Sequence, residues 1–484
     1  MHGSGGFEQR HRRARLIVLA SVAILSVAPV DSSQPAGRQT AQANFWACSP
    51  DRGPVFASAE CGAIRVFENR RTRQGRTIDI AFARWRSGPR ASSAVFLLAG
   101  GPGGSSASVA GAAEGWARPL RSTMDVVAVD QRGTWHSNAL HCAQEVEARP
   151  ATSFGHIFDE SWVRQCRGLL ERTADLAQYT TDAAADDLDD VRAALGYEQI
   201  SVYGASYGTR LAQAYMRRYP KRVRAVVLDA AIPFDSKLPL TYAASAQQAL
   251  DRVFDQCAVN PACRRAHPNL RADFARLLDR FRAGPIATSV TTSGGVSVLV
   301  NMSLGDFGYA VRGILYVSNL IDDLPDWIGR AATTGDVSVF AQRYWERQRA
   351  FSRTFATGLH FSVLCSEDVA FIGDQEIAGA TSATFLGRYV IDEYRRACAL
   401  WPTAELSPDF RQPIAVSVPT LLVSGAFDPV TPPAFAEQIA RTLPASRLVV
   451  ARQGAHGSVA SCPLDAALFV LQSGSTTGAP DVCR

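Results

Sequence analysis

Between residues 75 and 235, short runs of β-branched and aliphatic residues alternate with longer stretches whose apolar positions recur every three or four residues. The runs fall at 77–84, 94–99, 124–129, 200–203 and 223–228. Strands alternating with amphipathic helices make βαβ units, which bury a parallel sheet between two helical layers. One intervening helix is expected to open at Asp182 as N-cap, carry Asp186, Leu188, Val191 and Leu195 along its length, and stop at Gly196. Over residues 236–412 the period becomes helical, with one hairpin around Ser293-Gly294-Gly295. Trp327, Tyr344, Trp345 and Phe351 stand at helical spacing there, which reads as packing inside an inserted cap rather than as a ligand cage. The strand pattern resumes at 419–424 and 446–450, around a helix at 433–443. The pattern predicts an α/β fold: a mostly parallel sheet flanked by helices, interrupted by a mainly helical cap. Its expected divisions are 44–235 for the first part of the core, 236–412 for the cap and 413–484 for the rest of the core.

The first 43 residues read differently. Arg10, Arg12, Arg13 and Arg15 precede an apolar run over residues 16–30, and a polar stretch follows. That is the layout of a secretory signal peptide. The run is 15 residues long, short of the roughly 20 that a spanning helix needs, so no stable membrane insertion is expected after cleavage. Ala41-Gln42-Ala43 offers an A-x-A cut, with Ala36 an alternative. The first cysteine, Cys48, follows Phe45-Trp46-Ala47, which is not a lipidation signal. Export, to a periplasm or beyond, changes the reading of the ten cysteines. An even number without any C-x-x-C suits disulfides better than metal ligation. Sequence-local partners are expected: Cys48 with Cys61, Cys142 with Cys166, Cys257 with Cys263, Cys365 with Cys398, Cys462 with Cys483.

The formal charge is +5, and much of it sits in residues 1–43, where five arginines face only Glu8 and Asp31. The remainder of the chain is close to neutral, so nothing electrostatic points to nucleic acid or an anionic membrane. No metal site is expected either, since H-E-x-x-H is absent. Nor is a phosphate-binding cofactor, because the Gly-rich loop at 100–104 lacks both a following Lys-Ser/Thr pair and the G-x-G-x-x-G pattern.

Gly204-Ala205-Ser206-Tyr207-Gly208 is a G-x-S-x-G motif placed after a strand and before a helix. That setting is a nucleophile elbow, the mark of an α/β-hydrolase fold. A serine hydroxyl is a weak nucleophile near neutral pH, so it needs a base and a third group to hold that base in the right tautomer. In this fold the partners follow in the order Ser, acid, His. Three histidines lie downstream of Ser206. His267 and His360 fall in the cap, whereas His456 follows the last strand and is the expected base. Asp428, after the penultimate strand, is the expected acid, with Asp229 the alternative. Asp130 is read as a structural carboxylate near Arg132. The oxyanion donors are expected to be the amides of Gly101, in Gly100-Gly101-Pro102-Gly103-Gly104, and Tyr207.

Together with Asp130-Gln131-Arg132-Gly133-Thr134, Asp428-Pro429-Val430-Thr431-Pro432 and Gly454-Ala455-His456-Gly457, these motifs resemble the prolyl and tripeptidyl aminopeptidases of the α/β-hydrolase fold. The resemblance covers residues 48–483. It implies an exported serine exopeptidase that acts on peptides with a free N-terminus, needs no cofactor, and uses its cap as the specificity pocket. It further implies a cap carboxylate for the substrate ammonium, best matched by Glu367 in Cys365-Ser366-Glu367-Asp368, with Asp368 as rival. Ala99 stands where the prolyl enzymes carry His. The ten cysteines and the leader favour the tripeptidyl branch. An esterase or lipase would use the same catalytic groups.

Overall fold

The computed structural model describes residues 42–49, 53–88, 92–142, 146–147, 149–480 and 483. Of the expected leader, residues 1–41 lie outside them, the alternative cut near Ala36 included. Nine strands form the main sheet: β1 (Asn44–Ala47), β2 (Glu60–Phe67), β3 (Thr77–Trp85), β4 (Ala94–Leu98), β5 (Asp125–Val129), β6 (Ile200–Ala205), β7 (Val223–Asp229), then, after a separate hairpin of β8 (Ile286–Thr291) and β9 (Ser297–Met302), β10 (Thr420–Gly425) and β11 (Ser446–Ala451). Their order across the sheet is β1-β2-β3-β5-β4-β6-β7-β10-β11. From β5 to β11 all neighbours are parallel, while β1, β2 and β3 add an antiparallel margin. The first two strands are not predicted by the hydrophobic pattern, because β1 is wholly exposed and β2 carries Cys61 and Gly62 within it.

The central strands read as unbroken apolar runs because both faces are covered. Phe96 and Leu98 of β4 point into one core with Val127 and Val129 of β5 and Val226 and Leu228 of β7. Their neighbours Val95, Leu97, Val126, Ala128, Ala225 and Val227 point into a second core on the opposite face. The period of two thus survives as a division of labour between two buried faces.

Residues 236–412 hold helices and the β8–β9 hairpin, in register from Ile286↔Met302 to Thr291↔Ser297. Tyr344 and Trp345 are fully buried, and each satisfies its polar tip on a backbone carbonyl, of Ser153 and Val146 respectively. All five nearest-neighbour disulfides form, leaving no free cysteine. No described helix is long and apolar enough to cross a membrane. One expected cap is displaced: the helix Thr181–Ala194 is capped by Thr180, whose hydroxyl accepts from Ala183 N, while Asp182 lies inside the first turn and accepts from Ser407 Oγ. Both residues are capping types, and the tertiary partner Ser407 is what draws Asp182 away.

Candidate active site

β6 ends at Ala205 and the next helix starts at Tyr207, so Ser206 alone carries the reversal. Its backbone sits at φ 55°, ψ −122°, a conformation that costs an L-residue about 1–3 kcal/mol and persists only where the surroundings impose it. A hydrogen bond from Ser206 N to the Asp229 carbonyl, 2.9 Å, holds the turn to β7. The flanking glycines are required by close approach. A Cβ on Gly204 would stand 2.4 Å from the Gly208 carbonyl oxygen, and one on Gly208 2.4 Å from that of Leu98.

Asp428 follows β10 and His456 follows β11, at the same edge of the sheet as Ser206. Nδ1 of His456 lies 2.8 Å from Oδ2 of Asp428. The carboxylate is buried, and its orientation is set by three further donors: Val430 N and Thr431 N to Oδ1, both 2.9 Å, and Thr431 Oγ1 to Oδ2, 2.6 Å. Nε2 of His456 is buried and has no hydrogen-bond partner among the described residues. Asp229, the alternative acid, is engaged elsewhere. It accepts from Ser458 N at 2.9 Å, Val459 N at 3.0 Å and Tyr203 Oη at 3.0 Å, which braces the loop carrying His456. Burial nevertheless holds its carboxyl above the usual range.

Gly100 and Gly101 line one cavity with Ser206 and His456. Tyr207 opens its helix, so its amide has no intrahelical acceptor. The Gly-rich loop is tied down on both sides. Asp130 Oδ1 accepts from Ser106 N at 2.7 Å, and Gln131 Nε2 donates to the Ala99 carbonyl at 2.9 Å. The Arg132 side chain is engaged by a second carboxylate. Its fork reaches both oxygens of Asp187 at 2.7 and 2.8 Å, since the chain turns the guanidinium toward the helix Thr181–Ala194.

His360, on the helix Thr357–Glu367, braces the same loop from the cap side. Its Nδ1 donates to the Pro102 carbonyl at 2.9 Å, so Nε2 is the acceptor for Tyr394 Oη at 2.7 Å. Burial lowers its pKa to about 4, opposed by the bond to Pro102. The unfolded chain, with a histidine near 6.5, binds more protons between these values, so stability is complete above pH 6.5 and is lost as pH falls toward 4. Urea unfolding at pH 7 and pH 5 is expected to show the parent protein losing about 2 kcal/mol more than His360→Gln over that interval. Equal losses in the two proteins would refute the assignment.

The cavity has a volume of about 360 Å³, and its walls come from the Gly-rich loop, the elbow and the helical insertion. Glu367 and Asp368 are not among its lining residues, which corrects the expectation that they meet a substrate ammonium. Glu367 is fully buried and accepts from Thr181 N at 2.7 Å and Thr181 Oγ1 at 2.6 Å. Its burial pushes the carboxyl up to about 8, so near neutral pH it carries little charge. Asp368 is consumed by Arg210, 2.6 and 3.0 Å, and by Leu238 N, 3.0 Å. The helix turns both carboxylates toward the core side, which the local motif could not reveal. What lines the cavity instead is Tyr242, Tyr309, Arg312, Tyr316, Arg347 and Tyr394. The spacing Tyr309, Arg312, Tyr316 follows one helix face and was the available signal.

A family model described as alpha/beta hydrolase fold matches residues 93–460. Among curated proteins, the chain is 26% identical to "Serine protease Hip1" of Mycobacterium tuberculosis over 416 residues, 78% of each chain. It is 28% identical over 416 residues to "Carboxylesterase B" of the same species, 80% of this chain and 78% of that one. The "Tripeptidyl aminopeptidase" of Streptomyces lividans is 30% identical over 190 residues, 36% of this chain and 35% of the other.

Proposed function

The chain belongs to the α/β-hydrolase fold family, and we propose that it is an exported serine peptidase in which Ser206, His456 and Asp428 act as nucleophile, base and orienting acid. The observation that carries this reading is the buried His456 side chain, anchored through Nδ1 on Asp428 while Nε2 is left without a partner in the cavity that Ser206 lines. Ser206 Oγ attacks the scissile carbonyl and passes its proton to Nε2 of His456. The amides of Gly101 and Tyr207 receive the oxyanion. Collapse of the tetrahedral intermediate breaks the C–N bond, with the imidazolium protonating the departing amine. Water, deprotonated by the same imidazole, then hydrolyses the acyl-enzyme and returns the proton to Ser206. Asp428 stabilises the imidazolium throughout.

Peptide substrates are supported by the names of two relatives, a serine protease and a tripeptidyl aminopeptidase. The residues from 236 to 412 act as a cap in this reading, and the confined cavity admits a chain end better than the middle of a protein, which favours an exopeptidase. Five disulfides support export. The carboxylesterase relative supports a second reading, ester hydrolysis by the same groups. A panel of chromogenic peptides with free N-termini, their N-acetylated counterparts and simple acyl esters separates the two. Free-amine peptides are expected to be cleaved fastest by an aminopeptidase. Equal cleavage of free and acetylated peptides would remove the aminopeptidase reading, and esters cleaved to the exclusion of both would replace it with an esterase.

A further inference from the structure

Four arginines of the described residues are nearly inaccessible: Arg132, Arg192, Arg210 and Arg312. The first three have a carboxylate within 2.8 Å, on Asp187, Asp189 and Asp368. Arg312 has none, although it is only 3% exposed, and its Nε lacks any hydrogen-bond partner. A buried cation without a counter-charge is among the costliest arrangements a fold can keep. It persists here because tyrosine rings surround it. The guanidinium carbon lies 4.2 Å from the ring centre of Tyr242, 5.7 Å from Tyr309 and 5.9 Å from Tyr316. Arg347 joins the same cluster from the neighbouring helix Ser338–Thr354, 4.8 Å from Tyr316 and 5.7 Å from Tyr309. It too has no ion-pair partner among the described residues.

Both side chains line the cavity of Ser206, and no Asp or Glu among the described residues does. The cluster reaches the reacting groups through one side chain, since the Tyr316 ring packs 4.2 Å from the His456 ring. Ring quadrupoles steady a cation without neutralising it, so the guanidinium donors stay available to an anion. A planar fork on the wall of the cavity suits the two oxygens of a carboxylate.

We infer that Arg312 and Arg347 form a receptor for a carboxylate carried by the substrate, so that the preferred substrates are short acyl or peptidyl compounds with an anionic group close to the scissile carbonyl. This rests on the acyl-hydrolase reading of Ser206 and narrows it. Two cations would repel a substrate ammonium from that part of the cavity, so a free N-terminus lies elsewhere or is not required.

The test compares p-nitrophenyl hydrogen glutarate with its neutral methyl ester. The parent enzyme is expected to favour the acid by tenfold or more in kcat/KM, mainly through KM, and Arg312→Met or Arg347→Met to lower that ratio about tenfold each. Arg312→Lys, which keeps charge but not the fork, should fall between. Peptide p-nitroanilides carrying a succinyl cap, a glutamate or a glutamine locate the carboxylate on an N-terminal cap or on a side chain. A parent ratio near one, or a ratio unmoved in both Met variants, overturns the inference. Should the Met variants fail to fold, calorimetry of glutarate and of its diamide on the Ser206→Ala protein decides: binding of the acid alone supports the receptor, and binding of neither overturns it. Loss of the carboxylate preference leaves the hydrolase reading intact, because that reading stands or falls on labelling of Ser206 by a fluorophosphonate.

Discussion

Ser206→Ala is expected to lose about 10⁶-fold in kcat on any substrate the parent protein turns over, with residual activity limited to what binding and the oxyanion donors supply. Fluorophosphonate labelling should vanish with it. Folding should survive, because alanine keeps the Cβ that sits in the turn and faces the same φ of 55° as serine. Ser206→Gly sharpens the prediction. Glycine abolishes the nucleophile and also relieves the backbone strain, so the dead enzyme should be more stable than the living one by about 1 kcal/mol or more. Stability that falls in the glycine variant would show that the turn is not strained. Undiminished turnover by the alanine variant would remove the mechanism altogether.

Asp428→Asn is expected to lose about 10⁴-fold in kcat, and the hydrogen bonds around it explain why a near-isosteric change costs so much. Oδ1 accepts from Val430 N and Thr431 N, so the asparagine oxygen must occupy that position. Its NH₂ then takes the place of Oδ2 and faces His456 Nδ1 at 2.8 Å. A donor there forces Nδ1 to accept, which puts the imidazole proton on Nε2 and leaves no lone pair for the serine proton. The amide also meets Thr431 Oγ1, which must rotate its proton away. Thermal unfolding should move by only a few degrees, and labelling by fluorophosphonate should slow in parallel with turnover. A loss under tenfold would transfer the role of acid to another group, of which Asp229 is the nearest in position along the fold.

The direction of a side chain is set by packing and not by its neighbours in the chain. The motif Cys365-Ser366-Glu367-Asp368 presents two adjacent carboxylates, and a sequence records their proximity without their direction. Helix Thr357–Glu367 is buried on every side, so both acids point into protein, where Thr181 and Arg210 meet them. Conversely, the cavity is made by residues that are unremarkable where they stand in the chain. Arg312 and Arg347 are two of many arginines, and they stand out because neither has an ion-pair partner among the described residues once the helices assemble. Thr180 and Asp182 are both capping types, and in the fold Thr180 takes the cap while Asp182 meets Ser407, more than two hundred residues away.

The sequence by itself determined the elements that local physics controls. Unbroken apolar runs mark strands covered on two faces, Gly204 and Gly208 permit a turn that no other residue would fit, and cysteines close in the chain pair with one another. It also pointed to the order Ser206, Asp428, His456, because each residue follows a strand and parallel strands deliver their ends to one edge. Only the tertiary structure decided the character of the cavity. Whether a charged side chain meets a partner, the core or an open space depends on the packing of helices distant in sequence, and desolvation, which sets the cost of each outcome, exists only once they have packed.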